Sequence, residues 1–222
     1  MNLINSSELL GLGSLPSNAP ARIEVKRAMR AKTGAISTKG ATGKAMYERF
    51  LYLLPPDIQS SVRNGRLQLV DEIYYSIKAC GGLRDLELMD SGDNKTIGLR
   101  NIDKRKIEAN KWSLLCAIQL LSGVAKNPTQ TQFEVANKKI LNGEFELEIG
   151  STVIVPNVSC VIFDTKGRTD IQTGLWRDFD PQFIVPNTEI KPRLKMAAAL
   201  TATDETDTNV YFAMHCVSVA KN

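Results

Sequence analysis

The sequence has a single histidine, His215, and four cysteines, Cys80, Cys116, Cys160 and Cys216, with no C-x-x-C pair among them. Metal sites that need two histidines, or cysteines at zinc-finger spacing, are therefore excluded. His215 lies in an alternating run, and on a strand the adjacent Cys216 points to the opposite face, so the two cannot form a base–nucleophile pair. We predict no catalytic residue, no metal and no cofactor, and a chain that is not an enzyme.

Long apolar runs are missing as well. No run approaches the ~20 residues that cross a bilayer, and residues 1–20 lack the basic region and apolar core of a signal peptide. Three of the cysteines lie inside apolar runs, which predicts small buried hydrophobic residues and not disulfides. These features indicate a soluble protein that is made in a reducing compartment such as the cytoplasm.

Other chemistry is weakly represented. Aromatic residues make up 6% of the chain, too few for a stacking platform that binds single-stranded nucleic acid or carbohydrate. The stretch TKGATGKA fails as a phosphate loop, because Thr38 replaces the first glycine and Ala45 replaces the magnesium-binding hydroxyl. Carboxylates at Asp178, Asp180, Asp204, Glu205 and Asp207 fall in predicted loops, and a spatial pair of catalytic carboxylates stays open as an alternative.

The N-terminal region is distinctive. Residues 1–20 are rich in Ser, Asn, Gly and Pro, which predicts an extended arm that lies on a neighbouring subunit through Leu3, Ile4, Leu9 and Leu10. Residues 21–49 carry eight basic and two acidic side chains. Basic segments of this kind bind phosphate groups without reading sequence. The predicted contacts to nucleic acid, or to the headgroups of an internal membrane, are Arg22, Lys26, Arg27, Arg30 and Lys32.

Two short helices follow the basic segment. Residues 42–54 place apolar side chains on one helical face, and Pro56-Asp57 can begin a second helix that Asn64-Gly65 ends. Residues 67–79 fit both a strand and a helix, so that segment stays ambiguous. The predicted domains are residues 1–65, a basic arm with short helices, and residues 66–222.

Strand patterns dominate residues 66–222. Short alternating or apolar segments lie between turns rich in Gly, Asn, Asp and Pro, at 83–90, 111–125, 144–156, 158–164, 182–186, 189–200 and 209–220. Residues 144–156 have the pattern of a hairpin with a turn at Gly150-Ser151. Short strands without intervening helices predict a mainly β protein, an antiparallel β-sandwich of about eight strands.

The chain resembles jelly-roll capsid proteins of icosahedral viruses, particularly phages, in three segments: 109–123, 142–156 and 179–196. The third segment contains a corner of the kind found in those proteins, Ile184-Val185-Pro186-Asn187-Thr188. The resemblance implies a jelly-roll-like sandwich behind an N-terminal arm, and a structural coat protein that self-assembles into a shell. It also implies that the chain is made in the host cytoplasm and resides in the virion. Its partners would be further copies of itself and other virion proteins.

Two alternatives remain from the sequence. Residues 54–67, LPPDIQSSVRNGRL, resemble part of the helix-turn-helix of ParB-type partition proteins, which implies a DNA-binding protein with a helical module at 42–79. A helix at 67–79 would favour that function. A hydrolase or lectin on a β-sandwich is the other alternative, and a concave pocket with two facing carboxylates would favour it.

Overall fold

The computed structural model describes residues 43–164, 176–201 and 206–221. The chain divides between Gln59 and Ser60 into two compact units. In the first unit, helix α1 spans Gly43–Phe50, and a 3-10 helix follows at Leu51–Leu53. Helix α2, Pro56–Arg63, crosses the division. Proline opens α2 because its missing N–H costs nothing in the first turn of a helix. Both helices lie where the sequence predicts them.

The second unit contains a five-stranded antiparallel sheet. Its strands are β1 (Leu67–Ala79), β3 (Ser113–Val124), β4 (Glu134–Val135), β7 (Trp176–Ile184) and β9 (Thr208–Lys221). Strand β9 lies between β1 and β3, and the far side of β3 pairs with β7 along one half and with β4 along the other. Strand β3 is buried on both faces at nearly every residue, which explains its continuous apolar sequence.

The remaining strands form a four-stranded antiparallel sheet in the order β2-β8-β5-β6. They are β2 (Asp85–Glu87), β5 (Glu144–Ile149), β6 (Thr152–Ser159) and β8 (Ile190–Lys195). Strands β5 and β6 form the hairpin that the sequence predicts, and Gly150 turns it with a φ of 64°. The corner before β8 places Asn187 at a φ of 61°, a left-handed conformation that asparagine tolerates better than most residues.

One hydrophobic core joins the two sheets. Phe145 of β5 lies 5.6 Å from Phe212 of β9, measured between ring centroids, and meets Phe163 edge-on at 5.4 Å. Leu120 and Leu194, from opposite sheets, are fully buried in the same core. Each large side chain buried in this way contributes roughly 1.5–3 kcal/mol. The predicted mainly β, antiparallel architecture is therefore confirmed.

The structure corrects three details of the sequence prediction. Residues 67–79 form strand β1, so the helical module of the DNA-binding alternative stops at Arg63. Residues 158–164 are not a separate strand, because β6 ends at Ser159 and Cys160–Phe163 form a 3-10 helix. The strand expected at 83–90 is confined to Asp85–Glu87. Within the described residues there are nine strands, where about eight were expected, and the short β4 is the one without a sequence signal.

Candidate interaction surfaces

The residues that the sequence nominates for binding lie outside the described part of the chain. This holds for the basic set Arg22, Lys26, Arg27, Arg30 and Lys32, and for the arm set Leu3, Ile4, Leu9 and Leu10. Asp204 and Glu205 also lie outside it, whereas Asp178 and Asp180 lie on strand β7 and not in a loop as predicted. Among the described residues are two sheet faces, a partly buried polar network and a cleft.

His215 lies on the face of β9 that is turned away from the core. Its Nε2 is 3.7 Å from Oδ1 of Asp71 on β1, and its ring centroid is 5.9 Å from that of Trp176. Cys216 points into the core on the other face, as the alternation predicts. His215 therefore has a carboxylate and an indole as neighbours.

The four cysteines are all free and buried. Burial raises the pKa of Cys80, Cys116 and Cys160 to about 12, and it also raises the pKa of Cys216. A protonated thiol is a poor nucleophile and a poor metal ligand. The prediction of small buried hydrophobic residues is confirmed for the three cysteines in apolar runs, Cys116, Cys160 and Cys216, and Cys80 is buried as well.

The outer face of the four-stranded sheet carries paired charges, which we call the charge ladder. Lys191 Nζ of β8 lies 2.6 Å from Glu148 of β5, and Arg193 lies 3.5 Å from Glu146. Arg105, from the loop before β3, lies 3.3 Å from Glu87 of β2. The hydrogen bond from Lys191 holds the pKa of Glu148 below its ordinary value. Carboxylates and cations alternate across three strands, so the face satisfies its own charges.

The outer face of the five-stranded sheet is mainly apolar and aromatic, with His215 and Asp71 among its polar residues. Leu114, Ala213 and Val217 are fully buried there, although none belongs to the core between the sheets. Tyr75 and Tyr211 stack at a centroid distance of 5.8 Å, and the ring of Phe133 lies 5.4 Å from that of Tyr211. Surfaces of this composition are used for contacts with other protein segments more often than for contact with water.

Part of this face is covered by the segment that leads into β4. A Cβ atom placed on Gly123 of β3 would lie 2.0 Å from the carbonyl oxygen of Gln132 and 2.6 Å from Cγ2 of Thr131. Only glycine allows the two backbones to approach so closely. Phe133 follows directly and reaches the ring of Tyr211, so this segment covers the end of the face near Gly123.

A polar network lies on the inner side of β1, near one end of the sheet. Glu72 accepts hydrogen bonds from Lys111 Nζ and from the hydroxyl of Tyr74, both at 2.6 Å. Ser113 and Ser218 are joined through their hydroxyl groups, also at 2.6 Å. Burial acts to raise the pKa of Glu72, but the hydrogen bonds from Lys111 and Tyr74 outweigh it and lower the pKa. The network fastens β1, β3 and β9 together at this end.

A cleft of about 330 Å³ lies at the start of β2 and β5 and at the end of β8. Two carboxylates, Asp85 and Glu144, line it together with Arg84 and Lys195. On the backbone, Lys195 pairs with Asp85 on one side and with Glu144 on the other, and its Nζ lies 3.2 Å from Oδ1 of Asn157 and 3.9 Å from Glu146. A cleft lined by two carboxylates is the feature that the hydrolase or lectin alternative requires.

No group of three or more metal-binding side chains occurs among residues 43–164, 176–201 and 206–221. In the same part of the chain, no helix has the length and apolar character needed to cross a bilayer. Comparison with protein-family models, with curated proteins and with solved structures finds no match to this chain.

Proposed function

We propose that this chain is a structural coat protein that assembles with copies of itself into an icosahedral virus shell of the phage type. The sandwich supplies the wall of the shell, and the N-terminal arm links neighbouring subunits. The basic segment faces nucleic acid or the headgroups of an internal membrane. The observation that carries the proposal is the order of the strands.

That order supports a jelly roll, in which one long antiparallel hairpin is rolled into two sheets. Eight strands remain when the two-residue β4 is left aside. In a long hairpin folded from eight strands, the first strand pairs with the eighth, the second with the seventh, the third with the sixth and the fourth with the fifth. The structure contains all four pairs: β1 with β9, β2 with β8, β3 with β7 and β5 with β6. Two further pairings, β9 with β3 and β8 with β5, join alternate pairs into sheets.

Jelly rolls form viral capsids, but they also form lectins and cupins, so the strand order alone does not select a function. The sequence adds two features in favour of a coat protein. Eight basic and two acidic side chains in residues 21–49 suit a polyanion inside a shell. Apolar residues in an otherwise polar arm, Leu3, Ile4, Leu9 and Leu10, suit a strap on a neighbouring subunit.

Assembly of the purified full chain is the test. We expect closed particles of uniform size by electron microscopy, and sedimentation far faster than that of a single chain. We expect deletion of residues 1–40 to abolish particle formation while the near-ultraviolet circular dichroism of the sandwich is retained. Substitution of Arg22, Lys26, Arg27, Arg30 and Lys32 by glutamine should leave particles that copurify with less nucleic acid or lipid.

A compact monomer at high concentration, with or without nucleic acid present, would contradict the coat function. Binding of an oligosaccharide by that monomer, lost in the double variant Asp85→Asn and Glu144→Gln, would instead support the lectin or hydrolase alternative, because both side chains line the same cleft. Particles that form normally without residues 1–40 would retain the coat function and remove the arm from it.

A further inference from the structure

Sheet edges expose unpaired backbone groups that can add a strand from another chain, and proteins usually protect them. Most edges of the described strands carry such protection. Strands β2 and β4 have three and two residues. Strand β6 contains Pro156 and two register shifts against β5, and β7 contains Pro181 and pairs with β3 across a further register shift.

The second half of β1 is also protected. Asn101 lies along the edge and imitates a strand: its N–H donates to the carbonyl of Tyr75, and its side chain bonds the N–H of Tyr75 and the carbonyl of Ile73. The N–H of Ile77 is satisfied by the carbonyl of Leu99. The odd-numbered residues of β1 therefore direct their backbone groups toward the edge, and the even-numbered residues direct theirs toward β9.

The first half of the same edge is open. Pairing with β9 runs from Leu67 to Ala79 without a register shift, so Leu67, Leu69 and Asp71 also direct their N–H and C=O groups outward. No other described strand pairs with them, and the segment contains no proline, lysine or bulge. The side chains of the same odd-numbered residues form a row on the outer face of the sheet, which we call the outward row. They are apolar except for Asp71, and Ile73 is 47% exposed. We call Leu67–Ile73 the open edge.

We propose that the open edge pairs antiparallel with the open edge of a second copy, about a two-fold axis beside Leu69. Two five-stranded sheets then become one continuous ten-stranded sheet. The backbone groups of Leu67, Leu69 and Asp71 supply the hydrogen bonds, and the apolar outward row of each copy lies against that of the other.

A second copy fits this edge because the segment is complementary to itself. An axis beside Leu69 sets Asp71 of each copy opposite Leu67 of the other, so the two aspartates do not meet. The same axis brings Arg66, exposed just before the strand, opposite Glu72 of the other copy. Glu72 is still 25% exposed beside its own Lys111. Strand addition of this kind gains affinity from the main chain and specificity from alternate side chains.

Amide hydrogen exchange and sedimentation of the full chain test the proposal together. We expect a reversible dimer in the micromolar range, with the amides of Leu67, Leu69 and Asp71 protected at high concentration and exposed on dilution. The amides of Tyr75 and Ile77 should stay protected at both concentrations, because the segment 99–101 covers them within one chain. Protection of Leu69 that does not change with concentration would overturn the proposal, since a segment of the same chain would then occupy the edge.

Two variants make the test specific. Leu69→Pro removes one outward N–H without removing a bond to β9, and we expect it to weaken the dimer at least tenfold. Leu69→Lys keeps every backbone group and adds a charge, and it should act in the same direction if the proline variant fails to fold. Val153→Lys is the matched control, because it adds the same charge to a half-exposed valine on edge strand β6. Equal dimer affinity in all variants would overturn the proposal.

The pairing needs only two copies, and it names one contact within the proposed self-assembly. The two ideas fail separately. A Leu69→Pro variant that assembles into normal particles removes the open edge from the assembly but leaves the coat function in place. A dimer that forms through the edge, without any larger particle, keeps the edge and contradicts the shell.

Discussion

The two sheets of the sandwich share a core but have very different outer faces. The four-stranded sheet carries the charge ladder, in which Lys191, Arg193, Glu146 and Glu148 neutralise one another in pairs. The five-stranded sheet carries buried aliphatic side chains and a row of aromatic rings. A face that satisfies its own charges needs no partner. On the apolar face the aliphatic side chains named above are already buried, so only part-exposed residues such as Ile73 gain free energy when another protein surface covers them.

The same difference separates the sheet edges. The four-stranded sheet ends in the three-residue β2 on one side and in β6, with its proline and register shifts, on the other. The five-stranded sheet ends in β1, thirteen residues long and covered along only one half. In a protein that assembles, we therefore expect the five-stranded sheet to provide the contacts and the charge ladder to face solvent.

The largest effect is expected from Leu114→Ala. Leu114 is fully buried on the outer face of the five-stranded sheet, outside the core between the sheets. Truncation of a buried leucine costs about 2–5 kcal/mol in the free energy of unfolding. Urea unfolding measures it against Val153→Ala, an exposed residue on the other sheet for which we expect a change within about 0.5 kcal/mol. Equal losses for both would show that the outer face is not packed.

An intermediate effect is expected from Lys111→Met, which leaves Glu72 partly buried without its ammonium partner. Because Glu72 is not fully enclosed, we expect a loss of roughly 1–2 kcal/mol at pH 7. Lys106→Met is the control, since Lys106 is 47% exposed and its nitrogen lies 3.5 Å from Glu189. Urea unfolding at several pH values gives the free energies.

The pH dependence of this loss has a defined sign. The folded chain lowers the pKa of Glu72, so the stability from the pair is present above the unfolded pKa, about 4.3, and is lost as the pH falls through the folded value. Without Lys111, the pKa of Glu72 lies higher than in the wild type, because only the hydrogen bonds from Tyr74 and Ser218 then oppose burial, so acidification costs the variant less stability than the wild type. The difference between wild type and Lys111→Met should therefore shrink from pH 7 to pH 4. A difference that grows on acidification would contradict the assignment.

Periodicity predicted the elements of this fold better than their arrangement. The helices at Gly43–Phe50 and Pro56–Arg63, and the hairpin at Gly150, follow from local patterns and turn chemistry. The strand prediction for 158–164 was wrong because Cys160–Phe163 is an apolar run without a strand or helix period. Ser159 caps this run as a 3-10 helix by accepting a hydrogen bond from the N–H of Val161. The order of the strands depends on long-range pairing, which no local pattern records.

The candidate surfaces divide in the same way. The charge ladder is visible in part in the sequence, because glutamates alternate with apolar residues in β5 and basic residues alternate with apolar residues in β8. The register that brings these charges together is set by the fold. No sequence pattern predicts the role of Arg105, which lies in a loop with a φ of 51° and contacts Glu87 and Glu189. The open edge of β1 was visible only as an ambiguous apolar pattern at 67–79. Its exposure depends on where Asn101 lies.

The smallest effect is expected from Lys191→Met in the charge ladder. The Lys191–Glu148 pair has the same 2.6 Å distance as the Lys111–Glu72 pair and a similar side-chain exposure, so the two variants compare an outer sheet face with the inner side of a sheet. Surface ion pairs contribute little because water and salt screen them, and we expect the melting temperature to fall by no more than about 2 °C. The shift in melting temperature should vanish in 1 M salt, because the Debye screening length there is only about 3 Å. A loss as large as that of Lys111→Met, and insensitive to salt, would mean that the charge ladder is held as firmly as the network at Glu72, and the contrast between the two faces would no longer hold.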